Sequence, residues 1–143
     1  MAGGFSVKET IDRPVDEVWH FMSDMRNAPT WMTGVEDMKP ITPGPTGIGS
    51  KFSFVSRGAE RDTEVTAWDP KRELALTSTQ GGITATYLYT VHGNEDSTEV
   101  ALHAVCEAEG LWKIVQPLIA HLMKRSDSGH LAQLRDAMDA LNR

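Results

Sequence analysis

The stretch Ile11 to Val35, IDRPVDEVWHFMSDMRNAPTWMTGV, decides the fold. It reads as the end of a strand, an amphipathic helix, a second short helical turn and the approach to another strand. Pro14 stands where a first helical residue would, with its φ preset and its missing N–H harmless. Asp16 and Glu17 place negative charge in the first turn, against the positive end of the helix dipole. Val15, Val18, Trp19 and Met22 recur at helical spacing and predict one buried stripe. Asp24 is placed to cap the next turn, Arg26 to Met32, in which Pro29 is tolerated near the start. A pair of short helices between strands one and two is unusual, and it narrows the fold sharply.

Downstream the pattern turns to β. Strands are predicted at Glu36–Thr42, Lys51–Ser56, Arg61–Trp68, Arg72–Gln80, Ile83–Val91 and Thr98–Glu107. The run PGPTGIG is a connection, and Gly44 and Gly47 within it are turn residues rather than a phosphate cradle. Asp69 and Pro70 after Trp68 favour a tight reversal. Short strands with turn residues between them predict an antiparallel meander. The facing of Val65 to Trp68 stays open, because Val65 and Ala67 compete with Trp68 for the inside.

The chain closes on a helical pattern from Leu111 to Arg143, with Pro117 starting the main run after a short first turn. Val115, Leu118, Ile119 and Leu122 share one predicted inward face, continued by Ser126 and Gly129. Leu131, Leu134, Met138 and Leu141 share a face rotated away from it, so a bend or a change of packing partner is expected near Asp127 to Gly129. Ser126 and Gly129 are too small to fill a close-packed core, which marks a place for either neighbouring side chains or a ligand.

The whole-chain numbers set bounds. With 143 residues, 40% hydrophobic and 24% charged, the chain suits a single globular domain over 1–143. A net charge of −6 argues against a nucleic-acid surface and disfavours anionic membranes. The one cysteine, Cys106, excludes an internal disulfide and fits a reducing compartment, so a cytoplasmic location is expected. Met1 to Val7 shows no secretory pattern, and no apolar run approaches the roughly 20 residues of a membrane span, so stable membrane insertion is not expected. There is no H-E-x-x-H, no paired cysteine spacing and no phosphate-binding glycine motif, so neither a metal nor another cofactor is expected.

Ile11, Pro14, Val18, Trp19, Asp24 and Trp31, then Gly49, the run VTAWDPKRELAL from Val65 to Leu76, and STEVAL from Ser97 to Leu102, carry a resemblance to a known group. Their order and spacing resemble the helix-grip fold of the START and birch-pollen-allergen superfamily, SRPBCC, and within it the polyketide cyclase/dehydrase-type branch. The resemblance covers nearly the whole chain. It implies an α+β architecture: a curved antiparallel sheet of about seven strands wrapped around a long C-terminal helix, with two short helices between the first two strands. It also implies a cavity between sheet and helix that takes a hydrophobic or aromatic small molecule, a lipid among them.

Strand alternation supplies the candidate lining. Phe52 and Phe54, Leu76, Tyr87 and Tyr89, and Leu102 and Ala104 belong to rows assigned to the concave side, facing Leu118, Ile119, Leu122 and Ser126 of the helix, with Trp31 closing one end. Tyr87 and Tyr89 are the strongest candidates, since buried hydroxyls need partners and a polar ligand atom supplies one. His20, His92, His103 and His121 fall on outward faces or turns, as do Lys51, Arg57 and Glu107. His130 lies near the edge of the inward face and is the one histidine that is a candidate for a site role, although a partly exposed helix position is the first expectation for it. Cys106 has no histidine nearby in sequence to activate it. Small-molecule binding is therefore the first expectation. A polyketide cyclase, aromatase or dehydratase, and a protein-interaction module, are the alternatives; no catalytic constellation is evident in the sequence.

Overall fold

β1 (Gly3–Ile11) leads directly into the deciding segment, which folds as α1 (Val15–Met22), a 3-10 turn (Met25–Asn27) and α2 (Ala28–Trp31). In this computed structural model residues 3–140 are described, apart from 33, 57, 115 and 128, and their side chains apart from 80, 112, 123 and 125–127. Pro14 sits one position ahead of the expected one, as the extended residue preceding α1, and its carbonyl accepts from Val18 N–H at 3.1 Å. Val18, Trp19 and Met22 are buried, giving α1 the expected stripe, while Val15 is half-buried. Asp24 caps the 3-10 turn: its Oδ1 accepts from the backbone and Nε of Arg26, and its Oδ2 from Nη2 at 2.7 Å. That side-chain hydrogen bond from Arg26, outweighing partial burial, lowers the Asp24 carboxyl below its ordinary value.

Six further strands follow: β2 (Glu36–Pro40), β3 (Lys51–Ser56), β4 (Ala59–Asp69), β5 (Glu73–Gln80), β6 (Ile83–Gly93) and β7 (Thr98–Ala108). They form one antiparallel seven-stranded sheet in the order β1-β7-β6-β5-β4-β3-β2, so the last strand pairs with the first. The β4–β5 reversal closes through Arg72 N–H to the Asp69 carbonyl at 2.9 Å. Lys71 adopts φ +66° there, a left-handed conformation that glycine takes more easily. The open question of Val65 to Trp68 has a geometric answer. The β4–β5 register shifts between Val65 and Ala67, where a bulge turns the strand by one residue. Val65 and Trp68 therefore both face inward, while Ala67 pairs with Ala75 on the other side.

The predicted C-terminal helix is present in segments. A 3-10 turn (Gly110–Ile114) precedes α3 (Gln116–Asp127), and α4 (His130–Ala140) starts after a break at the position where the apolar pattern drifts. Gly129 is exposed at that break and its carbonyl opens α4 by accepting from Gln133 N–H, so it is a connector rather than an inward residue. Leu141, expected on the last helical face, lies outside the described residues, as does Val115. α3 lies over β1 and β7, and α4 over α2 and β1. Gln116 pins the start of α3, donating from Nε2 to the Cys106 carbonyl at 2.8 Å. Arg135 ion-pairs with Glu9 of β1, and Arg13 donates to the Met138 carbonyl at 2.7 Å, tying α4 to the sheet. Among the described residues no helix is long and apolar enough to cross a membrane.

The core lies between the concave sheet and α1, α2 and α4. Ile11, Val18, Met22, Trp31, Val65, Leu74, Val100, Leu102 and Leu134 are fully enclosed. Each such aliphatic side chain contributes about 1.5–3 kcal/mol by leaving water. Trp19 meets Trp68 edge to face with ring centroids 5.3 Å apart, joining α1 to the strand beyond the bulge.

Candidate functional site

Pairing across the sheet aligns two continuous rows on the concave face. One runs Phe5, Ala104, Tyr87, Leu76, Val65; the other runs Val7, Leu102, Tyr89, Leu74, Trp68. Side chains alternate along a strand, so every second residue of β6, from Ile83 to Val91, points into the same space. Tyr87 and Tyr89 stand in the middle of that space because β6 is the third strand of the sheet, between β7 and β5.

At one end the concave face is closed by α2 and α4. Trp31 has no exposed surface and meets Tyr89 edge to face at 5.3 Å. His130, the first residue of α4, is 4% exposed, which overturns the expected partly exposed position. Starting a new helix at His130 resets the phase of the preceding pattern and turns the imidazole toward the sheet. Its ring lies nearly parallel to Tyr87, at 22° and 6.3 Å between centroids, and edge-on to Trp31 at 6.5 Å. Its Nδ1 is 3.4 Å from the Tyr89 hydroxyl, a long contact whose donor depends on the imidazole tautomer. The indole N–H of Trp31 is buried and has no hydrogen-bond acceptor among the described residues. Leaving such a donor unsatisfied in a closed interior costs on the order of 1–3 kcal/mol.

At the other end the same face loosens. Along β6 burial is high at Val91 and Tyr89 and falls to half at Tyr87, Ala85 and Ile83. The parallel change runs from Leu76 to Ser78 on β5, from Thr63 to Arg61 on β4, and from Phe52 to Phe54 on β3. The result is a gradient, from a packed polar-aromatic end to a less covered one where Phe54, Ala85 and Ile83 stand with Ser78 and Arg61.

The structure thus brings together Trp31, Phe52, Leu76, Tyr87, Tyr89, Leu102 and Ala104 on the concave side; Phe54, two residues on from Phe52, shares that face but is half-buried and lies outside the core cluster. It does not bring Leu118 or Leu122 there: they are 59% and 41% exposed on the outer face of α3. The reason is the Gln116 anchor, which sets the helix phase so that Gln116, half-buried Ile119 and Ala120 look toward the sheet. The Ser126 side chain lies outside the described residues. Two concave-face polar residues, Thr63 and Arg61, escaped the sequence reading, because the phase of their strand was not fixed; alternation back from Val65 is the signal that finds them.

The outward assignments stand where they are described. His20, His92, His103 and His121 are exposed, as are Lys51 and Glu107, while Arg57 lies outside the described residues. His103 exchanges a 2.9 Å hydrogen bond with Ser6 on the convex side. Cys106 is buried, and desolvation, with a smaller push from Glu107, raises its thiol above the usual value, away from nucleophilic use. Two shallow clefts lie away from the concave face. One of about 430 Å³ is at the β6–β7 hairpin, beside His92, Asn94 and Glu99. One of about 300 Å³ is beside Lys51, Glu64, Thr66 and Thr77. No group of three His, Cys, Asp or Glu side chains among the described residues is placed to hold a metal ion.

Comparison with known proteins agrees with this architecture. Among solved structures, the chain superposes on the Zhui aromatase/cyclase of Streptomyces sp. R1128 with a TM-score of 0.76 at 12% identity, covering 100% of this chain and 97% of that one. A protein of Thermus thermophilus gives 0.72 at 16% identity, with both chains covered in full at 100%. The norcoclaurine synthase of Thalictrum flavum, a point mutant bound to a transition-state analogue, gives 0.70 at 19% identity, covering 99% and 94%. At such identities these likenesses show the fold. No curated protein matches the sequence. A family model described as polyketide cyclase / dehydrase and lipid transport matches residues 3–139. With that match over nearly its whole length, and the helix-grip architecture beneath it, the chain belongs to the polyketide cyclase / dehydrase and lipid transport family of the SRPBCC superfamily.

Proposed function

We propose that the protein binds a small, mostly apolar molecule on the concave face, its body against Phe54, Ala85 and Tyr87 and a hydrogen-bonding head toward Tyr89, His130 and Trp31. The observation that carries this reading is the burial gradient ending in a buried indole N–H without an acceptor among the described residues. An apolar space with a few convergent polar groups is the usual form of a small-molecule site. Family membership supports the same reading at the level of a hydrophobic ligand.

Native mass spectrometry of the purified protein, with titration of 1-anilinonaphthalene-8-sulfonate, tests it. The expected result is a non-covalent adduct, or saturable dye fluorescence, that Ala85→Trp removes by filling the open end. His103→Ala, on the convex face, leaves binding unchanged. Dye binding equally insensitive to Ala85→Trp, in a protein that melts normally, sinks the placement.

A second reading is a cyclase- or dehydratase-like enzyme, and the Tyr89–His130 contact is what favours it. A buried tyrosine and histidine within reach of one another can move a proton to or from a bound carbonyl compound. A co-purified molecule that loses water on incubation with the wild type, but not with Tyr89→Phe, selects the enzyme over the binding protein. The interaction-module alternative, in which the sheet or the long helix docks a partner protein, is favoured by an apolar convex sheet. That face instead carries hydrogen-bonded threonines, Thr66 to Thr77 at 2.9 Å and Thr77 to Thr86 at 3.1 Å.

A further inference from the structure

The sheet has a seam that its own ladder leaves open. β4 starts at Ala59 and β5 ends at Gln80, yet the ladder between them starts only at Glu64 and Thr77. β3 stays paired with β4 as far as Ala59, and β6 with β5 as far as Gln80, so two intact hairpins part beyond Glu64 and Thr77. Peptide groups in an antiparallel sheet face the two neighbouring strands alternately. Val65 exchanges hydrogen bonds with Gly49 and Ser50 on the β3 side, at 2.8 Å each, so Glu64 and Asp62 face β5. The Arg72 carbonyl accepts from Val91 of β6, so Thr77 and Thr79 face β4. Asp62 and Thr79 thus turn their N–H and C=O groups toward each other with no ladder bond between them, and both residues are exposed, so water can serve those groups. Next to the last pair it is a side chain that bridges the strands: the Thr63 hydroxyl donates to the Thr77 carbonyl at 3.3 Å.

The less covered mouth of the concave face straddles this seam, with Phe54 and Arg61 on one hairpin and Ser78 and Ala85 on the other. On the convex side the cleft of about 300 Å³ lies over the same place, with Asp62, Thr63 and Glu64 on one bank and Thr77 and Thr79 on the other. Thr63 borders both, since its side chain belongs to the concave row of Arg61 and Val65.

From this, and on the reading that the concave face binds an apolar molecule, we infer that the ligand enters by parting the two hairpins at the β4–β5 seam. Glu64 and Thr77 are the hinge, and the Thr63 hydroxyl is the catch. The walls around the site differ in what must break for each to yield. Widening the seam beyond its last pair breaks no ladder bond and one long hydroxyl bond. Lifting the helical wall breaks the Gln116 bond to the Cys106 carbonyl at 2.8 Å, the Arg13 bond to the Met138 carbonyl at 2.7 Å and the Arg135–Glu9 ion pair. The flanking seams, β3–β4 and β5–β6, are paired along their whole length, and the slipped β2 edge lies outside the mouth residues. The β4–β5 seam is the wall that opens at least cost, and it opens directly onto the half-buried end of the site.

Stopped-flow binding of 1-anilinonaphthalene-8-sulfonate to the full chain tests the route, counting only the fluorescence that Ala85→Trp removes. Asp62→Cys with Thr79→Cys puts two thiols at exposed positions that stand opposite one another when the Glu64–Thr77 register is continued, and Cys106 is buried away from them. Once oxidised to a disulfide, this double variant is expected to take up the dye about tenfold more slowly than when reduced, with unchanged affinity, because a closed seam raises the barrier in both directions. Dithiothreitol restores the rate. Thr63→Val removes the catch and is expected to associate about threefold faster. Hydrogen exchange of the free wild type gives a reading that needs no variant: the amides of Asp62 and Thr79 exchange fast, and those of Glu64 and Thr77 slowly. An oxidised variant that binds as fast as the reduced one, a Thr63→Val protein that binds no faster, or Asp62 and Thr79 amides as protected as those of the last pair overturns the route. If no dye fluorescence yields to Ala85→Trp, the concave-face reading itself falls, a result distinct from a site that fills at an unchanged rate.

Discussion

His130 joins three features that rarely coincide on a packing residue: it begins a helix, it is almost wholly enclosed, and its imidazole meets the rings of Trp31 and Tyr87 and the hydroxyl of Tyr89. A histidine serving only as filler would be replaced at little cost by a larger apolar side chain; one that organises Tyr87, Tyr89 and Trp31 would not. Truncating it leaves a void among those rings, so His130→Ala is expected to cost about 2–4 kcal/mol. Tyr89→Phe keeps the packing and removes one long hydrogen bond, and is expected to cost about 1 kcal/mol or less. Urea unfolding of the two variants measures the difference. Equal costs would mean that the hydroxyl, not the imidazole, holds this end of the site together.

At the scale of elements, the reversal between β4 and β5 offers a simple test of local conformation. Lys71 is held at φ +66°, and its ammonium reaches only an exposed partner, Asp16 Oδ1 at 2.9 Å. Exposed ion pairs contribute little, whereas the left-handed conformation costs a β-carbon-bearing residue roughly 1–2 kcal/mol. Glycine regains part of that and loses some to the entropy of its unfolded state, so Lys71→Gly is expected to stabilise by up to about 1 kcal/mol in thermal or urea unfolding. Unchanged or lower stability would show that the Asp16 pair outweighs the turn strain. Most elements were legible in the sequence for equally local reasons: Pro14, Asp24 and the Asp69-Pro70 pair act within a few residues of themselves. Alternation likewise placed Tyr87, Tyr89, Leu102 and Ala104, since a strand has only two faces. Three features were not legible. The bulge at Val65 and Ala67 depends on how β4 meets β5 and leaves no mark in β4 alone. The phase of α3 misled in part: Ile119 faces the sheet as read, but Leu118 and Leu122 face outward and Gln116 and Ala120 take the inward positions instead. His130 followed from the helix break, which resets the face that a continuous helix would have given it.

The whole molecule is asymmetric in how firmly it is closed. β1 pairs with β7 over nine residues, Gly3 to Ile11, and carries α3 and α4 on its concave side. The far edge, β2, has five residues, ends in Pro40 and slips register against β3 between Glu36 and Lys39. Proline at an edge and a register slip discourage pairing with other chains, and they also leave few hydrogen bonds to hold that edge down. Opening therefore starts at β2 and β3 and reaches β6 and β7 only with global unfolding. Hydrogen exchange of the free protein should show amides of β6 and β7 protected to the level of the global stability, and those of β2 and β3 exchanging through smaller openings. The proposed site spans this boundary, with its hydrogen-bonding head in the firm half and its less covered mouth at Phe54, Ser78 and Ala85. A bound molecule is then expected to slow exchange most in β3, β4 and β5, because those strands gain a partner they lack when free, and least in β7, which is already closed by α3 and α4. The comparison is made with and without 1-anilinonaphthalene-8-sulfonate at saturation. Added protection confined to the Gly110–Ile114 turn and α3 would move the dye off the concave face and onto exposed Leu118 and Leu122.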